Sequence, residues 1–368
     1  MKSPALTLAM VAALASAAVA QQPAAPVPRR PEQRLVSPQV DQGKVTFRFA
    51  APKAQQVNVR INGRKDPVAM QRDEKGVWSA TVEDLAPEIY DYQFEVDGLM
   101  TLDPANAWVK TGLRPNTSMV EVPAHPAEFW EPLDIPHGNV TIHTFWSKSL
   151  ESSRSFRVYT PPGYDQQNAG PFPVLYLLHG SGDADDGWMV SGRANLIADN
   201  LLRTGQMKPM LIVMPNGTYP REAGHENDFE TALLQEIIPT VEKEYRVARG
   251  PANRALAGLS MGGFQTLSVG IKHMDQFAWL GVFSAGVRDN AGETYGPFLD
   301  KANDQLSLFW IGIGEDDFLL TSEKALETLL NDHHVKYSAH ISKGGHAWNN
   351  WRHYLHDFLP LLFQASQK

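Results

Sequence analysis

The chain has 368 residues, 43% of them hydrophobic and 20% charged, which suffices for two soluble globular domains. Its net charge of −8, with no Lys/Arg cluster, argues against a nucleic-acid partner. It contains no cysteine, and this excludes a disulfide framework, a thiolate metal site and a cysteine nucleophile.

Residues 1–20 read as a secretory signal. Met1-Lys2 is a short positive start, residues 6–14 are apolar, and Ala18-Val19-Ala20 fits a small-x-small cleavage site after Ala20. The apolar run is shorter than the ~20 residues of a membrane span, and no later segment is long enough either. A secreted or periplasmic protein without a membrane partner is expected. Residues 21–34, carrying Pro23, Pro26, Pro28 and Pro31, read as an extended linker.

From 35 to 122 the pattern has period two. Val45-Thr46-Phe47-Arg48-Phe49, Val57-Asn58-Val59-Arg60-Ile61 and Tyr90-Asp91-Tyr92-Gln93-Phe94-Glu95-Val96 alternate, with Asn62-Gly63 and Asp97-Gly98 as turn signals. A small β-sandwich is expected, followed by a connector at 123–133. Trp78, Tyr90, Tyr92 and Trp108 are candidates for a sugar platform there, although the alternation assigns some of them to the core.

From 134 to 368 the texture is α/β. After strands at 140–146 and 156–159, the runs 174–178 and 210–214 are continuously apolar, as are 279–283 and 308–313. Such runs suit parallel strands buried on both faces. Leu233, Leu234, Ile237, Ile238, Val241 and Tyr245 recur at helical spacing, with Pro239 as a kink point, and 348–363 reads as a last amphipathic helix. The expected architecture is a doubly wound α/β sheet behind a small all-β domain.

The chemistry centres on Gly258-Leu259-Ser260-Met261-Gly262-Gly263. It stands between the strand-like 254–257 and the helix-like 264–273, the context of a nucleophile elbow. Ser260 is the candidate nucleophile and the Met261 amide an oxyanion donor. In such sites the acid and then the histidine follow the serine in the chain. Glu315, Asp316 and Asp317 follow the apolar strand 308–313 and compete for the acid. His346 lies in a Gly-rich loop after the strand expected at 336–341 and is the candidate base. His179-Gly180-Ser181-Gly182 ends the strand 174–178 as an oxyanion loop does. The Ser181 amide is the first choice as second donor, Gly182 the next, and His179 reads as structural. His353 and His356 stand i, i+3, but without a third ligand they read as packing histidines. No cofactor or metal is expected.

With these residues in place, 134–368 resembles the esterase D-like branch of the α/β-hydrolases, which includes carbohydrate esterases (family 1 type) acting on feruloyl and acetyl groups of xylan. The resemblance rests on Val158-Tyr159-Thr160-Pro161-Pro162-Gly163-Tyr164, on 174–180, on Glu236-Ile237-Ile238-Pro239, on 254–263 and on His346-Ala347-Trp348-Asn349-Asn350-Trp351-Arg352. It implies a Gly-x-x-Asp acid, which fits Gly314-Glu315-Asp316-Asp317 and favours Asp317 over Asp316. Residues 35–122, with Asp103-Pro104-Ala105-Asn106, resemble the Ig-like modules related to glycogen-binding domains. The implied function is a secreted serine esterase that removes feruloyl or acetyl groups from xylan, with Trp188 and Trp348 lining an acyl or sugar pocket. An esterase for siderophore trilactones and an acyltransferase are the alternatives on the same fold. A non-catalytic carbohydrate-binding protein fits less well.

Overall fold

The computed structural model describes residues 34–113, 117–219 and 228–364. The leader expected at 1–20 and all but the last residue of the Pro-rich segment 21–34 lie outside the described residues.

Alternation builds the front domain. Its strands are β1 (Gln39–Asp41), β2 (Lys44–Ala50), β3 (Val57–Ile61), β4 (Val68–Ala69), β5 (Gln71–Arg72), β6 (Val77–Val82), β7 (Glu88–Val96), β8 (Leu99–Thr101) and β9 (Ser118–Val122). One sheet runs β1-β2-β6-β5, the other β4-β3-β7-β8 with β9 also on β7. Val45 and Phe47 of β2 pack in one core with Val57 and Val59 of β3 and Tyr92 and Phe94 of β7. Asp97 and Gly98 both have positive φ, +47° and +87°, which the two-residue hairpin turn between Val96 and Leu99 demands.

Two members of the expected sugar platform are core residues. Tyr92 is buried and its hydroxyl donates to Asp103 Oδ2 at 2.7 Å. The Trp78 indole is also buried and donates to the Ala51 carbonyl at 2.9 Å. The Asp103-to-Asn106 segment is a local turn, in which Asp103 Oδ1 accepts from the Ala105 amide at 2.8 Å.

The second region holds β10 (Asn139–Ser147), β11 (Ser152–Thr160), β12 (Val174–Leu178), β13 (Leu211–Pro215), β14 (Arg254–Leu259), β15 (Trp279–Phe283), β16 (Leu308–Gly314) and β17 (Ser338–Ser342). They form one sheet in the order β10-β11-β13-β12-β14-β15-β16-β17, antiparallel up to β13 and parallel beyond it. Both faces are covered. In β12, Val174, Tyr176 and Leu178 join one core with Phe229, Leu233 and Leu267. Leu175 and Leu177 join another with Ile197, Leu201, Tyr354 and Phe358. Strands covered on both sides have no polar face, which is why these runs are continuously apolar.

Pro239 does not simply kink its helix. Asp228–Ala232 and Ile238–Glu244 are α-helical, and Leu233–Ile237 between them is a π turn. Proline lacks the amide for the Gln235 carbonyl, and its ring crowds that group, so the turn ahead of it widens. The last helix ends earlier than expected, at Trp348–Phe358, and a 3₁₀ turn over Leu359–Leu361 takes in Pro360.

The front domain shares a core with the sheet. Ile89 of β7, Met119 of β9 and Trp130 pack with Trp351, Leu355 and the helix Ala194–Arg203. His353 and His356 are packing residues, their rings 4.9 and 4.2 Å from Phe129. Arg352, fully buried, is held by the Glu88 carboxylate, and its Nη1 donates to the Ser191 carbonyl at 2.6 Å. A buried pair that loses one partner leaves an uncompensated charge. Glu88→Ala is therefore expected to cost about 3–5 kcal/mol in denaturant unfolding. Glu88→Ala combined with Arg352→Met should recover part of that loss, because no buried charge is then stranded.

Candidate active site

Ser260 stands on the turn from β14 into the helix Met261–Gly270. Its φ is +51°, a conformation that costs a non-glycine residue about 1–3 kcal/mol and persists only when the surroundings enforce it. Here the Ser260 amide donates to the Phe283 carbonyl at 2.9 Å. A Cβ on Gly258 would come within 2.5 Å of the Gly262 carbonyl carbon, and one on Gly262 within 2.6 Å of the Leu178 oxygen. Only glycine fits at either place.

Two loops beyond the carboxyl ends of β16 and β17 bring the candidate acid and base. They are interlocked: the Glu315 amide donates to the Ser342 carbonyl at 2.8 Å and the Asp316 amide to the Gly344 carbonyl at 2.9 Å. Asp317 is buried, whereas Asp316 is exposed. His346 Nδ1 lies 3.0 and 2.9 Å from the two Asp317 oxygens, and its Nε2 lies 2.9 Å from Ser260 Oγ. A carboxylate only accepts, so the proton sits on Nδ1 and Nε2 is free to accept from the serine hydroxyl. Burial works to raise the Asp317 pKa. Hydrogen bonds from His346, from the Leu319 amide and from Ser284 outweigh it and hold the carboxyl below its ordinary value.

The candidate oxyanion donors face this line. Met261 opens its helix, where backbone amides lack intrahelical partners. Beside it runs the loop after β12, so near that a Cβ on Gly180 would lie 3.5 Å from Ser260 Cβ. Ser181 is exposed within a turn closed by the Asp183 amide on the Gly180 carbonyl at 3.3 Å, with Gly182 at φ +89°. His179 holds the loop from behind. Its Nδ1 donates to the Gly180 carbonyl at 2.8 Å and its Nε2 accepts from the Gly217 amide at 2.9 Å. Burial pushes its pKa down, which favours the neutral ring that this pairing needs.

A family model described as "Putative esterase" matches residues 147–362. The chain belongs to this esterase family. Here the α/β-hydrolase sheet follows an Ig-like β domain. Residues 36–106 match carbohydrate-binding module 48, the isoamylase N-terminal domain. The endo-1,4-beta-xylanase/feruloyl esterase of Xylanibacter ruminicola is 32% identical over 336 residues, covering 88% of this chain and 45% of that protein. The chain thus spans less than half the length of this relative. A ferulic acid esterase from Anaeromyces mucronatus is similar in structure, with TM-score 0.56 and 25% identity over 63% of this chain and 93% of that one. The enterobactin esterase of Shigella flexneri matches with TM-score 0.63 and 21% identity over 86% and 92% of the two chains, a likeness of fold.

Within this family member, Trp188 departs from expectation. It is 1% exposed, its indole donates to the Leu178 carbonyl at 2.9 Å, and its ring meets Phe283 and Trp348 edge-on. It supports the loop after β12 from inside the core and offers a ligand no surface. Trp348 is also mostly buried, but it borders a cavity of about 460 Å³ between β7 and the His346 loop. Asn62, Tyr90 and Asp91 line the other side. Sequence reasoning passed over Phe318, which is 74% exposed with its ring 4.4 Å from that of His346. An apolar residue directly after the acid of the Gly-x-x-Asp segment was the available signal. Among the described residues, no group of three or more His, Asp or Glu side chains is placed to hold a metal.

Proposed function

We propose that the chain is an exported serine esterase that removes feruloyl, or acetyl, groups from xylan. One observation carries the chemistry: the hydrogen-bonded line from Ser260 through His346 to Asp317. Ser260 Oγ attacks the ester carbonyl as His346 Nε2 takes its proton, and Asp317 stabilises the imidazolium. The amides of Met261 and Ser181 hold the oxyanion. The His346 imidazolium then protonates the departing sugar oxygen, which leaves as a hydroxyl, and the acyl group stays on Ser260. Water, deprotonated by His346, releases the acid. No cofactor takes part.

The feruloyl preference draws on the relatives named for feruloyl esterase activity and on the exposed Phe318 face, which suits an aryl ring. Export draws on the signal-like residues 1–20. An enterobactin-type trilactone is the second reading, favoured by a likeness of fold that takes in both domains. Methyl ferulate, acetylated xylan and a trilactone siderophore, assayed side by side, decide among them. The highest kcat/KM is expected on methyl ferulate. A preference for the trilactone of tenfold or more would overturn the xylan reading.

The front domain has a share in this. Every catalytic side chain of the mechanism lies after Asp134, so a chain beginning there keeps the triad. It also strands Arg352 and uncovers the face that Ile89, Met119 and Trp130 bury. Partial loss of soluble protein is expected, measured as the soluble fraction. Within that fraction, activity on insoluble arabinoxylan should fall further than activity on p-nitrophenyl acetate, since tethering raises the local concentration of a polymer. Equal losses on the two substrates would mean that the front domain does not tether the polymer.

A further inference from the structure

The segment that carries the oxyanion loop, residues 180–193, is tied to the front domain at both ends. At its start, the Leu113 amide donates to the Gly182 carbonyl at 2.9 Å. Gly112 packs so closely that a Cβ on it would stand 2.4 Å from that same oxygen. Lys110 Nζ lies 3.8 Å from Asp183 Oδ1 and 3.8 Å from Asp91 Oδ2, between the loop and β7. At the far end, the Arg193 guanidinium stacks 4.6 Å from the Trp108 ring centroid and pairs with Glu121 of β9 at 3.0 Å. Residues 108–110 are themselves anchored. The Met119 amide donates to the Trp108 carbonyl at 2.9 Å and the Lys110 amide to the Thr117 carbonyl at 3.0 Å.

A short Gly-rich turn has few internal restraints. Its amides serve an oxyanion only when aimed within a fraction of an ångström, and a misplacement of about 1 Å costs roughly 10²-fold in rate. His179 fixes the Gly180 carbonyl from the sheet side. The outer half of the turn, from Gly182 to Asp183, is fixed from the front domain. Burial pushes the Asp183 carboxyl up to about 6, with Asp91 and Asp186 adding to the rise and Lys110 opposing it. The ammonium is therefore the group that favours the charged carboxylate here.

We propose that residues 110–113 of the front domain are a positioning element for the oxyanion loop, acting through Gly182 and Asp183 on the Ser181 amide. This rests on the serine-esterase reading. The β domain then sets kcat on every ester, including small ones that never touch it.

The test uses the full chain and p-nitrophenyl acetate, with Lys110→Met, Lys110→Arg and Gly112→Ala. Lys110→Met is expected to lower kcat about tenfold and Gly112→Ala about 100-fold, with KM within twofold of wild type. Lys110→Arg should restore most of the loss. A trifluoromethyl ketone that adds to the serine should bind more weakly in step with kcat. Unchanged kcat in both Lys110→Met and Gly112→Ala would overturn the proposal. So would a fall in kcat with unaltered ketone affinity, or a loss accounted for by unfolded protein in a thermal scan. If wild type does not turn over the ester, the serine-esterase reading fails. Positioning is then judged by hydrogen exchange of the 180–183 amides, which should quicken in Lys110→Met. Equal exchange in variant and wild type would overturn it.

Discussion

Ser260→Ala and His346→Ala are each expected to lower kcat by roughly 10⁴–10⁶-fold, and the double variant to be little worse than either single one. The reason is the shared hydrogen bond of 2.9 Å between His346 Nε2 and Ser260 Oγ. Without the base the hydroxyl is a poor nucleophile, and without the hydroxyl the base has nothing to activate. Residual turnover then comes from binding and the oxyanion donors alone. Steady-state and single-turnover kinetics on one soluble ester measure this. A double variant whose loss equals the product of the two single losses would show that the groups act independently. Substrate affinity should persist in Ser260→Ala, because the walls around it keep their shape.

The second large effect separates neighbours. Asp317→Asn is expected to reduce kcat about 10⁴-fold, and Asp316→Asn to change it little. Asparagine at 317 offers an N–H to the histidine and so stabilises the tautomer with its proton on Nε2, which cannot accept from Ser260. Asp316 is exposed, and its backbone amide is already engaged by the Gly344 carbonyl. The reverse pattern would move the acid to Asp316.

Much of the architecture was legible in the chain because local pattern and global fold agree. The apolar run of β12 announces a strand covered on both sides, and the alternation of β2 and β7 announces a sandwich. The elbow was legible because the glycines around Ser260 answer a steric demand that few other turns make. What stayed hidden depended on contacts remote in sequence. A tryptophan beside an oxyanion loop lines a pocket or fills the core according to what stands behind it. For Trp188 that is Phe283 and the Leu178 carbonyl. Asp316 and Asp317 stand side by side in the chain, and only the fold shows that Asp317 is buried against His346 while Asp316 is exposed. Lys110 and Leu113 carried no motif, since their meaning comes from a carbonyl and a carboxylate on another domain.

The Glu88–Arg352 pair joins residues 264 positions apart. A ribosome adding about 5–20 residues per second needs roughly 13–53 s to pass from one to the other. Once β9 is made, at Ser118–Val122, the sandwich has the nine described strands but for the rest of that interval lacks the helix that covers Ile89 and Met119. Its exposed patch stays uncovered until the helix Trp348–Phe358 arrives. A stop codon or ribosomal stall late in the message would therefore release a folded front domain with an uncovered apolar face, a product more prone to aggregate than one released much earlier.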